Sequence, residues 1–137
     1  MALKDIKSIF EKSTYGILAT CENGQPKLRP MAFIVHENGN LWSSTYKCSG
    51  KVKECTTNSR VEVCFTDTQK RHLRIEGIIT LSEDSELKEE LLKLNPKVGR
   101  HFTGGDDPSY LHIEIKPVRI RWKPAGFSEY IEEKTLA

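Results

Sequence analysis

Residues 43–51 run Ser-Ser-Thr-Tyr-Lys-Cys-Ser-Gly-Lys, which crowds hydroxyls, a glycine and two lysines into one short stretch. These are groups that hold an anion. Leu41-Trp42 ends an extended run, and Ser49 is a good N-cap for a helix continuing through Val52 and Cys55 toward Asn58. Lys51 and Lys53 then fall in the first turn, where each cation opposes the positive end of the helix dipole by about 0.3–1 kcal/mol unless an anion sits among them. A dianionic phosphate meets that condition: the hydroxyls of Ser44, Thr45 and Ser49, the free backbone N–H groups from Gly50 onward and the Lys51 ammonium form one donor set. The same residues also make a plain N-cap followed by solvated lysines.

Other reactive side chains are scattered. His36, His72, His101 and His112 fall on four different elements with no i,i+4 pair, which argues against a metal centre. Cys21, Cys48, Cys55 and Cys64 contain no C-x-x-C pair and are expected as reduced thiols. Cys48, beside Lys47, is open to a redox role, although no resolving partner is evident. The stretch His101-Phe102-Thr103-Gly104-Gly105-Asp106-Asp107 fits either a lid or an ordinary surface loop. No acid or base stands out as catalytic.

The elements that must position these groups follow from the pattern. Leu3, Ile6, Ile9 and Phe10 have a helical period. Residues 16–21 read as a buried strand, Asn23-Gly24 as a hairpin turn, residues 27–35 as the returning strand and residues 41–45 as a third, giving a three-strand meander. Residues 61–65 and 73–81 alternate, and Leu87, Leu91 and Leu94 share one face of a helix ended by Asn95-Pro96. Residues 97–109 are irregular. Residues 110–115 and 118–122 alternate again, leaving 123–137 as a polar tail. About seven short strands joined mostly by tight turns make a mainly β chain with peripheral helices, and an antiparallel sheet of this size curls into a small barrel. At 137 residues the chain is expected to form one domain, and its net charge of +2, with few aromatics beside basic residues, argues against a nucleic-acid partner. Its apolar runs are far too short for a membrane span, and no apolar segment follows the first lysines as in a secretory signal, so a cytoplasmic location is expected.

Taken in order, Gly-Ile-Leu-Ala-Thr, Asn-Gly-Gln-Pro, Leu-Arg-Pro-Met, Leu-Trp-Ser-Ser-Thr, Ser-Gly-Lys-Val and Leu-Arg-Ile-Glu-Gly-Ile resemble the landmarks of the pyridoxamine 5′-phosphate oxidase-like FMN-binding split barrels, over residues 15–122. The resemblance implies a Greek-key split β-barrel that works as a homodimer, with FMN at the subunit interface and a small-molecule redox substrate. It implies that Arg29 and Lys51 hold the FMN phosphate, with Ser44, Thr45, Ser49 and Gly50 contributing, and that the backbone of Pro30, Met31, Ala32 and Phe33 runs beside the flavin ring. His72 matches a position that often faces the flavin, and Trp122 is expected against the ring from the partner chain. Taken on their own neighbours, Arg29 is also a solvated strand arginine, His72 a surface histidine and Trp122 a core tryptophan. The C-terminal arginine segment of true pyridoxamine 5′-phosphate oxidases has no counterpart in the ending Ile-Glu-Glu-Lys-Thr-Leu-Ala, so the likeness is to the short general-stress and flavin-reductase-like members. The alternative is a non-catalytic module that carries flavin, haem or a deazaflavin.

Overall fold

The computed structural model describes residues 2–13 and 15–137. Helix α1 (Ala2–Lys12) precedes strands β1 (Gly16–Glu22), β2 (Gln25–Met31), β3 (Ile34–Val35) and β4 (Leu41–Tyr46). Helix α2 (Gly50–Thr57) follows, then β5 (Arg60–Thr66), β6 (His72–Ser82), α3 (Ser85–Leu94), a 3₁₀ turn (Pro96–Arg100), β7 (Tyr110–Lys123) and β8 (Ile131–Glu133). Every strand pair is antiparallel, in the order β2-β1-β5-β6-β7-β4-β3, with β8 added beside β7.

Alternation explains which way each strand faces. Leu18, Val63, Phe65, Leu73, Ile75, Ile113 and Ile115 point into one core, which Ile6 and Ile9 of α1 cap; the Leu3 side chain, expected on the same helix face, lies outside the described residues. Along β7 Tyr110, Leu111, His112 and Ile113 are all buried, because α3 and the 3₁₀ turn cover the outer face with a second cluster of Trp42, Leu91, Val98, Phe102 and Tyr110. The β1–β2 hairpin turns at Asn23 and Gly24, whose φ values of 52° and 78° are the left-handed conformation that an Asn-Gly pair adopts readily.

Four expectations change. The returning strand over 27–35 is two strands at opposite edges of the sheet: β2 pairs with β1, and after Ala32 and Phe33 the chain enters β3, beside β4. The three-strand meander is therefore absent, and β4 finds its main partner in β7. Burial of Phe33 in the core, edge-on to Phe65, carries the chain across that gap. The pair of strands over 110–115 and 118–122 is one strand of 14 residues. Its Pro117 is tolerated because the register shifts opposite Glu76 and Gly77, and Gly77 is required there: a Cβ would lie 2.6 Å from Ile115 Cγ2 and 2.7 Å from the Lys116 carbonyl oxygen. Lastly, the polar tail contains β8 and buries Leu136 in the main core. No described helix is long and apolar enough to cross a membrane.

His112 is fully buried, edge-on to Trp42, which in turn stacks on His36. Neither of its ring nitrogens has a hydrogen-bond partner among the described residues. Burial pushes its pKa below the ordinary 6.5, so the fold holds it neutral. The unfolded chain binds that proton more readily, and stability contributed by the neutral ring falls away as pH drops below about 6.5. His112→Leu removes the unpaired nitrogens; we expect a gain of about 1 kcal/mol or more at neutral pH and a shallower loss of Tm on acidification. Thermal melts across pH 5–8 check this, and a variant less stable than the parent throughout would show that the ring earns its place by packing.

Candidate functional site

The site grows from two lengths of backbone that have no strand beside them. On its outer edge β4 pairs with β3 only at Leu41 and Trp42, so Ser43–Tyr46 present a free edge. Facing it, β2 ends at Met31 and leaves Ala32 and Phe33 unpaired in any strand. Ser43 Oγ donates to the Ala32 carbonyl at 2.6 Å and ties the two together. Above this seam lies an open cleft of about 370 Å³, floored by Met31, Ala32, Ser43–Tyr46 and Lys51 and walled by the segment from Leu91 to Phe102. Among the described residues no Asp or Glu lines it, whereas Lys51, Lys97 and Arg100 do.

Lys51 Nζ donates to Thr45 Oγ1 at 2.9 Å and Ser49 Oγ at 2.8 Å. Ser49 occupies the N-cap position with extended backbone, but its side chain makes no capping bond; the hydroxyl accepts from Lys51 instead. Burial, and after it the positive charge of Arg29, lowers the Lys51 pKa. An ammonium has three donors, so one remains for a ligand, and an anion there would relieve both effects.

Arg29 is less free than its sequence context suggests. Its guanidinium donates to Glu54 Oε1, and also to the Leu18 carbonyl at 3.3 Å. Glu54 is buried, accepts from Thr20 Oγ1 at 2.6 Å and lies 3.7 Å from Lys27 Nζ. The Thr20 hydrogen bond, helped by the charges of Arg29 and Lys27, keeps the Glu54 carboxyl below its ordinary pKa despite burial. Arg29 does not line the cleft; its charge, partly offset by Glu54, is felt there through its effect on Lys51. Sequence reasoning missed Glu54 and Thr20. The available signal was Thr20 itself, a polar residue at an inward position of a strand whose neighbour Leu18 is core.

The expected site residues divide into two groups. Met31, Ala32, Ser44, Thr45 and Lys51 line the cleft; Ser49 joins them through Lys51, Gly50 opens α2 beside it, and Arg29 and Pro30 lead into the seam. Phe33 turns inward to the core. His72 and Trp122 do not line the cleft of their own chain: His72 pairs with Lys123, and Trp122 sits in the core between Leu73 and Ile131. Cys48 is exposed, and all four cysteines are free thiols.

Residues 97–109, irregular by sequence, are held by specific contacts, and those up to Phe102 wall the cleft. Phe102 stacks on Tyr110 with ring centroids 4.4 Å apart, and the Gly105 N–H donates to Glu89 Oε1 at 2.5 Å. Asp107 accepts from the hydroxyl and N–H of Ser109 and from Thr103, bonds that pull its pKa down to about 2. Gly105 is needed for space: a Cβ there would lie 2.6 Å from Glu89 Cγ and 2.7 Å from the Ser85 carbonyl oxygen.

A family model for pyridoxamine 5′-phosphate oxidase matches residues 2–123. The chain belongs to the pyridoxamine 5′-phosphate oxidase family. Within that family it is similar to general stress protein 26 of Bacillus subtilis, at 29% identity covering 92% of this chain and 94% of the relative. Its fold matches the crystal structure of general stress protein 26 from Bacillus anthracis with a TM-score of 0.76 at 27% identity, covering 96% of this chain and 98% of the other. Two more distant structures share the fold: a pyridoxamine 5′-phosphate oxidase-related, FMN binding protein from Nostoc punctiforme (TM-score 0.65, 17% identity, 90% and 82% covered) and an F420 reductase (TM-score 0.66, 23% identity, 83% and 94% covered). The open, curled sheet is the split barrel of the pyridoxamine 5′-phosphate oxidase family, as the resemblance implied.

Proposed function

We propose that this chain binds FMN in the cleft above the β2–β4 seam and acts as an oxidoreductase on a small-molecule substrate. One observation carries the reading: a lysine held by two hydroxyls at the start of α2 opens onto a cleft whose lining contains no carboxylate. A flavin mononucleotide suits this arrangement. Its phosphate meets Lys51, Ser44, Thr45, Ser49 and the first N–H groups of α2, while Arg29 adds positive charge from behind. The unpaired backbone at Met31–Phe33 offers donors and acceptors to the polar edge of a flat ring, as a free strand edge does for any extended partner. When bound, FMN supplies hydride or single-electron transfer, and the protein supplies position, field and access.

A homodimer completes the site in this reading. The cleft is open, and the strand ends at His72 and Trp122, which stand away from it in their own chain, face the ring from a second protomer, His72 by its half-buried side chain and Trp122, packed in the core, only as backing behind it.

Titration by flavin fluorescence tests the reading. Hydrogen bonds to a charged group contribute about 1.5–3 kcal/mol, so FMN is expected to bind at least about tenfold more tightly than riboflavin. Equal affinity would show that no phosphate seat operates at Lys51. A deazaflavin displacing FMN at equal concentration would instead shift the assignment to the fold's second cofactor class.

A further inference from the structure

The described residues form two separate apolar cores. The larger lies within the curled sheet, and the smaller, built from Trp42, Leu91, Val98, Phe102 and Tyr110, fixes α3 and the 3₁₀ turn to β4 and β7. Leu91, Val98 and Phe102 also line the cleft. Opening of the smaller core alone, a local event of the kind native proteins undergo, therefore unseats the cleft wall and leaves the sheet standing.

His112 is the polar flaw in that smaller core. Its ring is fully buried and T-shaped to Trp42 with centroids 4.4 Å apart, and neither nitrogen has a hydrogen-bond partner among the described residues. Four titratable groups face it: Glu114 on β7, His36 just past β3, Asp84 at the start of α3 and Glu90 within α3. All three carboxylates are already engaged. Glu114 accepts from the Asn38 and Asn40 amides at 3.0 and 2.7 Å, and Asp84 from the Glu86 N–H at 2.9 Å. Glu90 meets His36 Nε2 at 2.6 Å, while His36 Nδ1 accepts from the Asn38 N–H at 3.2 Å, so Nε2 carries the His36 proton. A proton on His112 thus makes a buried cation with no counter-ion in contact, whereas an open wall gives it water.

We propose that α3 and the turn after it form an acid-released wall of the cleft with His112 as the trigger: protonation of the ring frees the wall from β4 and β7 and lets the bound cofactor leave. The opening stands apart from the FMN reading above, and the release of cofactor rests on it. The sign follows from burial. In the closed form burial outweighs the nearby carboxylates and pushes the His112 pKa below 6.5, while an opened ring titrates near its ordinary value. Opening therefore gains as pH falls through 6.5, by a factor that reaches at most about ten at pH 5.5.

The test follows amide hydrogen exchange in the FMN-loaded full chain at pH 7.5 and 5.5, corrected for the intrinsic pH dependence of exchange, and FMN release by flavin fluorescence after a pH jump. In the parent, protection over residues 85–102 is expected to fall about five- to tenfold relative to β5 and β6 on acidification. His112→Leu and His112→Gln cannot take the proton, and both should keep 85–102 protected. Any acid effect on FMN release that remains in them measures the FMN phosphate, whose own pKa is about 6; the parent should exceed it about fivefold or more. His36→Gln should respond to acid as the parent does. The proposal is overturned if 85–102 loses no protection selectively in the parent, if either His112 variant loses it as the parent does, if His36→Gln abolishes the response, or if the wall opens and the parent releases FMN no faster than the His112 variants. A parent chain that takes up no FMN overturns the flavin reading instead, and exchange on the flavin-free chain then decides whether acid opens the wall.

Discussion

Lys51→Ala should lower FMN affinity about tenfold or more while leaving the melting temperature nearly unchanged. The asymmetry comes from what Lys51 touches. Its partners in the folded chain are the hydroxyls of Thr45 and Ser49, which water can satisfy at the mouth of an open cleft, so no buried charge is orphaned by its removal. Burial and the nearby Arg29 charge already disfavour the ammonium, and removing it relieves that cost. Riboflavin affinity should be indifferent to the substitution, because riboflavin has no phosphate to lose. Fluorescence titrations of both flavins against parent and variant, with a thermal melt of each, check all three statements. FMN affinity within twofold of the parent would remove Lys51 from the phosphate.

Arg29→Ala should show the opposite balance, with a large loss of stability and a smaller loss of affinity. Its guanidinium is paired with Glu54, a buried carboxylate whose other partners are Thr20 and Lys27. Removing one member of a mostly buried ion pair strands the other, and we expect a cost of about 2–3 kcal/mol, below the range for fully buried pairs because Arg29 keeps some contact with solvent. The phosphate loses less, since Glu54 already offsets much of the Arg29 charge. Arg29→Ala with Glu54→Gln separates the two effects: the neutral amide leaves no stranded charge, so stability should largely return, and FMN affinity should rise above that of the single variant without regaining whatever Arg29 gives the phosphate by direct contact. Denaturant melts read the first quantity and flavin titration the second. Stability that fails to return would mean that Arg29 supports the fold through its contact with the Leu18 carbonyl or through packing, not through Glu54.

The sequence singles out both residues but not the different contacts the fold gives them: Lys51 lines the cleft, and Arg29 is bound to Glu54 outside it. Lys51 was legible because its neighbours in the chain are its neighbours in space: Thr45, Ser49 and Gly50 lie within a strand end and a helix start. Arg29 was legible only through the order of family landmarks, and its partner Glu54 lies 25 residues away, on a different element, where it reads as any exposed helical glutamate. The strands themselves followed from alternation almost everywhere. What failed was partner choice. Residues 27–35 have the composition of one continuous strand, and only the distant pairing of β4 with β7 decides that its two halves belong to opposite edges of the sheet. In the same way, Pro117 looks like a strand break until Gly77, across the sheet, makes room for a bulge. The wall of the cleft was the least readable part, because Lys97, Arg100 and His101 gain meaning from the anchoring of Val98 and Phe102 against α3.

The seam between β2 and β4 also orders events in time. The β1–β2 hairpin closes a short loop and can form early, but β4 reaches its place only by pairing with β7, across more than 60 residues of intervening chain. Ala32 and Ser43 lie only 11 residues apart, beside the local β3–β4 pairing, whereas fixing that unit relative to the β1–β2 hairpin needs the longest-range contact of the sheet. The cleft draws Met31 from β2, Ser43–Tyr46 from β4 and the wall from Leu91 to Phe102, so a flavin bound as proposed finds its full set of contacts only once these units have docked. Held as proposed, it acts afterwards, as a clasp across the seam between β2 and β4 that slows the reopening of the sheet.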